Sequence, residues 1–297
     1  MRVLLTGGAG FLGSNVFDAL RARGDDLIVV DDLATGDRAN LPADADLRIV
    51  DIADARALAS ALAGARFNAV VHCASRTKVV ESMERPELYR RVILDGTSNV
   101  IERARAASTR RFVNISTGGA LYGETPRCAD ESRPLDAPSN YGTFKAQAEK
   151  AVAASRLGPI TLRIANIYGP RQRRDLEGGV IAIFVGCWRR GEALTVFGDG
   201  TAQRDYVYVG DVAEAVVAAL ASDREGTYNI GTGVATSVNE LVAAMTEVLG
   251  PPRGIVHAPP RSVELQRSCI DASKAARDGL WRPRTSLREG LRKTAGA

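Results

Sequence analysis

The chain has 297 residues, 45% of them hydrophobic and 25% charged, enough for one large domain or two intimately joined ones around a sizeable core. Its 39 basic and 35 acidic residues are interleaved, and the formal charge of +4 comes without a long basic block, which argues against a nucleic-acid partner. No run approaches the ~18 apolar residues of a membrane span, and the first apolar run is too short for a signal peptide, so a cytoplasmic protein without a membrane partner is expected.

In chain order, Val3–Leu5 reads as a strand, followed by a glycine turn and a helix over Gly10–Arg23. Strands follow at Leu27–Val30 and Leu47–Val50, a helix at Ala55–Ala63 and a strand at Ala69–His72. One long helix is expected over Pro86–Ala107, then a strand at Arg111–Ile115, a helix at Tyr141–Ser155 and a strand at Ile160–Ile164. Strands and helices alternating at this spacing mean crossover units and a parallel sheet covered on both faces. Tyr168–Gly179 reads as a long loop, and the remainder is less regular apart from a helix at Asp211–Leu220 that returns to the sheet. The expected fold is therefore α/β. A Rossmann-type doubly wound sheet occupies 1–165, with 205–230 returning to it, and a smaller mixed substrate region occupies 166–297.

Four cysteines, Cys73, Cys128, Cys187 and Cys269, are widely scattered, with no Cys-x-x-Cys pair and only two histidines to join them. That spacing excludes a zinc site and predicts free thiols rather than disulfides.

Between the first strand and the first helix stands Thr6-Gly7-Gly8-Ala9-Gly10-Phe11-Leu12-Gly13. Gly7 permits the tight turn, Gly10 lets a diphosphate approach the backbone, and Gly13 lets helix and strand pack closely. Phe11 and Leu12 belong to the same turn, where the positive helix end faces the diphosphate. Asp31 closes the second strand, eighteen residues beyond Gly13, where a carboxylate grips the adenosine ribose. A carboxylate there repels a 2′-phosphate, which favours NAD over NADP. Asp51 and Ile52, after the third strand, place a carboxylate and a backbone N–H at the adenine edge.

Tyr141 and Lys145 lie four apart on a predicted helix, hence on one face. An adjacent ammonium favours the phenolate, so Lys145 is expected to lower the Tyr141 pKa from its usual ~10 and make it a general base. Ser116 and Thr117, at the carboxyl end of the fifth strand, offer a third hydroxyl to the same crevice.

These residues, with HCAS (72–75), STGGALYG (116–123), LRIANIYGPRQ (162–172), VFGDGTAQRDYVYVGDV (196–212) and RSCIDASKA (267–275), make the chain resemble the extended short-chain dehydrogenase/reductases, and within them the bacterial UDP-galactose 4-epimerases. The resemblance covers nearly the whole chain. It implies an NAD-dependent C4 epimerase of a nucleotide-sugar, working as a homodimer through Pro86–Ala107 and Tyr141–Ser155. It further implies cofactor contact by Lys78, contact of Asn166 with the diphosphate or sugar of the nucleotide-sugar, diphosphate contacts by Arg204 and Arg261, and a ribose contact by Glu264. No metal is implied. Many relatives carry the catalytic hydroxyl where Gly118 stands here, so Thr117, one residue earlier, takes that role, with Ser116 left open. Ile93 replaces a common Asn near the cofactor. Ser268 stands where a bulky Tyr restricts some relatives, which leaves UDP-GlcNAc open beside UDP-glucose. The basic loop of Arg171, Arg173 and Arg174 leaves UDP-glucuronate open. Relatives that dehydrate or decarboxylate carry acidic residues where this chain has Gly119 and Ala120. A 4-ketoreductase and a non-catalytic dinucleotide sensor complete the alternatives.

Overall fold

The computed structural model describes residues 1–175, 179–260 and 265–296. Seven parallel strands form the main sheet: β1 (Arg2–Thr6), β2 (Asp26–Asp31), β3 (Asp46–Ile49), β4 (Ala69–His72), β5 (Arg111–Thr117), β6 (Pro159–Ile164) and β10 (Gly226–Ile230). Their spatial order is β3-β2-β1-β4-β5-β6-β10, so the direction of progression reverses between β1 and β4. Above that reversal the carboxyl ends of the strands open a crevice.

Helices cover both faces. On one lie α1 (Phe11–Ala22) and α8 (Val209–Ala221), packed over Val3, Leu5, Val29, Val113 and Leu162. On the other lie α2 (Ala55–Ala61), α5 (Gly96–Ala106) and α6 (Asn140–Ala153), over Leu4, Ile28, Val70 and Phe112. Alternate residues of each strand supply the two cores because successive side chains point to opposite faces.

Two features depart from the sequence expectation. A short helix, α3 (Val79–Glu84), precedes the long one and had no clear periodic signature. The long helix itself is α4 (Pro86–Arg90) and α5 joined by a π-helical turn, Arg91–Asp95. The Thr97 hydroxyl donates to the Ile93 carbonyl at 2.5 Å, and Gly96 approaches Ile52 so closely that a Cβ would stand 2.7 Å from its Cδ1. The first bond stays within the turn, the second approach packs it against the loop after β3, and such turns recur beside functional sites.

Beyond β6 the chain builds a smaller layer. β7 (Asn166–Tyr168) and β13 (Arg267–Ser268) pair in parallel with β9 (Gln203–Tyr208), and β11 (Ala235–Ser237) pairs antiparallel with it. β8 (Leu194–Phe197) pairs with β12 (Ile255–Ala258). A separate core of Phe184, Leu194, Leu241 and Met245 lies among these strands, α7 (Val180–Arg190) and α9 (Val238–Leu249). Two C-terminal helices, α10 (Ser273–Arg277) and α11 (Leu287–Ala295), complete the described chain. Among the described residues no helix is long and apolar enough to cross a membrane, and no metal-binding cluster occurs.

The cysteine expectation is corrected. Cys128 and Cys269 form a disulfide, while Cys73 and Cys187 are free. The bond joins residues 141 apart, because the chain after β5 is zipped to the segment containing β13. Thr125 N–H donates to the Arg267 carbonyl at 3.1 Å, and Ala129 N–H to that of Cys269 at 2.9 Å. Sequence spacing cannot report a closure made by tertiary folding. In the chain-entropy account a disulfide acts mainly on the unfolded chain, where a loop of this length is worth about 4–5 kcal/mol. Reduction, or Cys128→Ser, is expected to lower the thermal midpoint by roughly 5–10 °C. Calorimetry with and without reductant checks this, and an unchanged midpoint would show the thiols to be unlinked.

A buried histidine ties β1, β4 and α5 together. Thr6 Oγ1 lies 2.7 Å from His72 Nδ1, and Thr97 Oγ1 lies 3.0 Å from Nε2. Thr97 already donates to Ile93, so it accepts from Nε2–H, leaving Nδ1 to accept from Thr6. Burial, aided by the Lys145 charge, pushes the His72 pKa down to about 3. Unfolding releases this residue to about 6.5, so the unfolded chain binds the extra proton between those values. Stability is whole above pH 6.5 and falls below it, by about 1.4 kcal/mol per pH unit once protonation of the unfolded chain is complete. Urea midpoints at pH 7.5 and 5.0 should show this loss, and His72→Gln should remove it.

Candidate active site

The cofactor and catalytic residues expected from sequence converge on one cleft of about 1300 Å³ at the carboxyl edge of the sheet. Gly7, Gly10–Gly13, Asp31, Asp51, Ile52, Lys78, Thr117, Tyr141 and Lys145 all line it, as do Asn166 and Arg204. This volume exceeds the ~300–1,000 Å³ usual for one small ligand.

At one end is the glycine turn. Gly7 has φ +69°, and a Cβ there would lie 2.6 Å from the Ala74 backbone nitrogen. A Cβ on Gly13 would run into the Gly7 carbonyl. The turn is braced by Asp31, whose Oδ2 accepts from Ala9 N–H at 2.9 Å and Oδ1 from Leu33 N–H at 2.8 Å. Burial raises the Asp31 pKa against these hydrogen bonds. Gly10 N–H also favours the ionised carboxylate, and of its four or so lone-pair sites about one is left for a hydroxyl donor. Asp51 is also tied into the fold. It pairs with Arg91 at 2.9 Å and accepts from Ala53 N–H at 2.9 Å, while the Ile52 carbonyl accepts from Asn99. These bonds fix the loop after β3 onto the π-turn helix.

In the middle stand Tyr141, Lys145 and Thr117. Ser139 caps α6 by accepting from Gly142 N–H at 3.2 Å, and α3 anchors the same end, Ser82 Oγ accepting from Tyr141 N–H at 3.2 Å. Gly142 has no Cβ because the Ala120 carbonyl occupies that space. This close approach brings Thr117 to Tyr141. The Thr117 hydroxyl accepts from Ala120 N–H at 3.2 Å, and its hydrogen bonding favours the Tyr141 phenolate. Ile93, the apolar departure noted above, packs with Tyr89 and Ala148 around Tyr141.

The electrostatics correct one expectation. Burial pushes the Tyr141 pKa up to about 12, and the opposing influence is the Thr117 hydrogen bond, not Lys145. The Lys145 ammonium instead donates to the Ile115 carbonyl at 2.6 Å, and burial lowers its pKa to about 8. Ser116, beside Thr117, is 4% exposed, lines the cleft, and its hydroxyl has no partner among the described residues. A turn that no Cβ can enter, a buried carboxylate with an acceptor site to spare and an orphaned buried hydroxyl fit a dinucleotide laid from Asp31 to Tyr141.

At the far end, Asn166 and Arg204 line the cleft, with Arg204 donating to the Gln203 carbonyl at 2.8 Å. Ser268 is buried behind Gly119, where an added Cβ would stand 3.8 Å from its hydroxyl and 3.4 Å from Asn166 Oδ1. Arg261 and Glu264 lie outside the described residues. Of the basic loop, Arg171 pairs with Asp18 of α1 at 2.6 Å and Arg173 with Asp175 at 2.6 Å, while Arg174 lines the cleft. Sequence reasoning assigned no role to Gly142, Ser82 or the His72 ring. The Tyr-Gly dipeptide was the one available signal, since a glycine inside a helical pattern marks close approach.

Fold and cleft together define a doubly wound α/β protein with a tyrosine–lysine pair at its topological switch point. Residues 3–231 match the model of the NAD dependent epimerase/dehydratase family, and the chain belongs to that family. It is 36% identical to the UDP-glucose 4-epimerase of Mycolicibacterium smegmatis, over 99% of this chain and 97% of that one. The crystal structure of the Thermus thermophilus UDP-glucose 4-epimerase in complex with NAD superposes with a TM-score of 0.94 at 40% identity, covering 100% of this chain and 98% of the other. The Thermotoga maritima UDP-glucose 4-epimerase with UDP-glucose gives 0.94 at 37% identity, with the same coverage.

Proposed function

We propose that this chain inverts C4 of a UDP-linked hexose, as UDP-glucose 4-epimerases do, with NAD held along the glycine turn. The observation that carries the reading is the single cleft in which Thr117, Tyr141 and Lys145 stand between the glycine turn on one side and Asn166 and Arg204 on the other. Bound NAD+ supplies a reversible two-electron acceptor for C4 and a positive charge that lowers the Tyr141 pKa. Asp31 would receive the adenosine ribose, Gly7–Gly13 the diphosphate, and Lys145 the nicotinamide ribose. Lys78 would touch the same cofactor, and Asp51 with Ile52 its adenine. Tyr141 takes the proton from the sugar 4-hydroxyl and later gives it back, while Thr117 orients the phenol. Asn166 and Arg204, with Arg261 and Glu264, grip the nucleotide diphosphate and ribose, leaving the sugar ring free to turn.

Gly119 and Ala120 line the cleft without an acid or base, which disfavours elimination and decarboxylation. Incubation with UDP-glucose, UDP-GlcNAc and UDP-glucuronate, with C4 configuration read by NMR, tests the reading. Inversion of UDP-glucose is expected; inversion of none would overturn it and favour a dinucleotide sensor. A second reading, UDP-GlcNAc inversion, is favoured by the small buried Ser268 behind Gly119. Glucuronate is less supported, because Arg171 and Arg173 are already in ion pairs. Homodimerisation through α4–α5 and α6 in the cytoplasm belongs to the same proposal, and sedimentation velocity checks the dimer.

A further inference from the structure

Glu149 stands one helical turn beyond Lys145 on α6, and two beyond Tyr141, so the three share a face. It is buried, and the Arg163 guanidinium of β6 grips it as a fork, with nitrogen–oxygen distances of 3.0, 3.2 and 2.7 Å. Arg163 also donates to the Tyr122 hydroxyl at 2.8 Å and lies over that ring. Tyr122 in turn donates to Asn229 of β10 at 2.9 Å. The ion pair thus joins α6, β6, β10 and the segment that follows Thr117. A buried ion pair often gains little stability over an apolar replacement, so its place beneath the Tyr141–Lys145 face calls for another reason.

The charges around Lys145 supply one. Tyr141 and Glu149 share its helix face, its ammonium reaches the Ile115 carbonyl, and its charge acts on His72 of β4 and on Cys73 just after it. His72 is neutral near pH 7, and burial raises the Cys73 thiol pKa to about 12, so neither carries charge at working pH. Asp31 acts on Cys73 from the other side. Glu149 is the charged group that opposes the burial of Lys145, and Arg163 faces it from below.

We propose that Glu149 and Arg163 are positioning residues for the Tyr141–Lys145 pair: the carboxylate is the counterweight that keeps the buried Lys145 ammonium charged, and Arg163 meters how much of that negative charge Lys145 receives. The role in catalysis rests on the epimerase reading, but the electrostatic claim does not. Two halves of one ion pair then have opposite effects. Removing the carboxylate makes the ammonium easier to deprotonate; removing the guanidinium makes it harder.

The chain has five lysines, Lys78, Lys145, Lys150, Lys274 and Lys293, so selectively [ε-13C]lysine-labelled protein with its cofactor gives few signals. The Lys145 signal is the one lost in Lys145→Met. Its titration should move acidward by about one pH unit in Glu149→Gln and alkaline in Arg163→Met. Glu149→Asp, which keeps the charge, should stay near the unmodified protein; it decides the matter if Arg163→Met fails to fold. An unmoved Lys145 titration in Glu149→Gln, shifts of the same sign in both variants, or an Asp variant that behaves like Gln would overturn the proposal. The pH profile of C4 inversion in Glu149→Gln should follow the Lys145 shift. If the titrations move as stated but no nucleotide-sugar is inverted, the electrostatic claim stands and the epimerase reading falls.

Discussion

Replacing Tyr141 by Phe is expected to lower C4 inversion by about 10²–10⁴-fold while leaving the fold and NAD binding in place. The ring is part of a buried cluster with Tyr89, Ile93 and Ala148, so Phe keeps the packing. What is lost is one hydroxyl, the one that Thr117 addresses. Thr117→Val removes the partner instead. It should lower the rate less, because the phenol remains. Inversion assays with the NAD content measured on the same samples separate these effects from unfolding. A Phe variant of full activity would remove Tyr141 from the chemistry.

The second large effect is expected at Gly13. A methyl group added there meets the Gly7 carbonyl, with the Gly8 Cα 2.7 Å away. These are backbone atoms of the turn itself, with no flexible side chain to yield. Gly13→Ala must therefore push α1 away from the turn, at a cost of about 1–3 kcal/mol. That movement displaces the helix end that would face the diphosphate. NAD binding should weaken at least tenfold and the thermal midpoint should fall by several degrees. Gly24 makes a useful control, since a Cβ there meets nothing within 4 Å, although its φ of +87° carries its own modest strain. Binding by fluorescence titration, with the melting curve alongside, checks both parts. Unchanged NAD affinity in Gly13→Ala would mean that the turn does not hold the cofactor.

Much of the architecture was legible because local periodicity carries it. The alternation of short apolar strands and helices announced a parallel sheet, and Gly7, Gly10 and Gly13 placed the crevice above β1. The four-residue spacing of Tyr141 and Lys145 placed both in the cleft. The short α3 stayed hidden because its six residues are too few to show a period, though Ser82 anchors the end of α6 that carries Tyr141.

Sequence alone determined which residues share a strand or a helix face, since those relations depend only on backbone geometry over a few residues. It thereby gave the sheet, the turn and the tyrosine–lysine pair. Tertiary structure alone decided what each charge feels. Lys145 turned out to bond the Ile115 carbonyl, Asp51 to pair with Arg91, and Cys128 to reach Cys269. The reason is that burial and long-range contacts set these energies, and both depend on segments that are distant in the chain and meet only after it has folded.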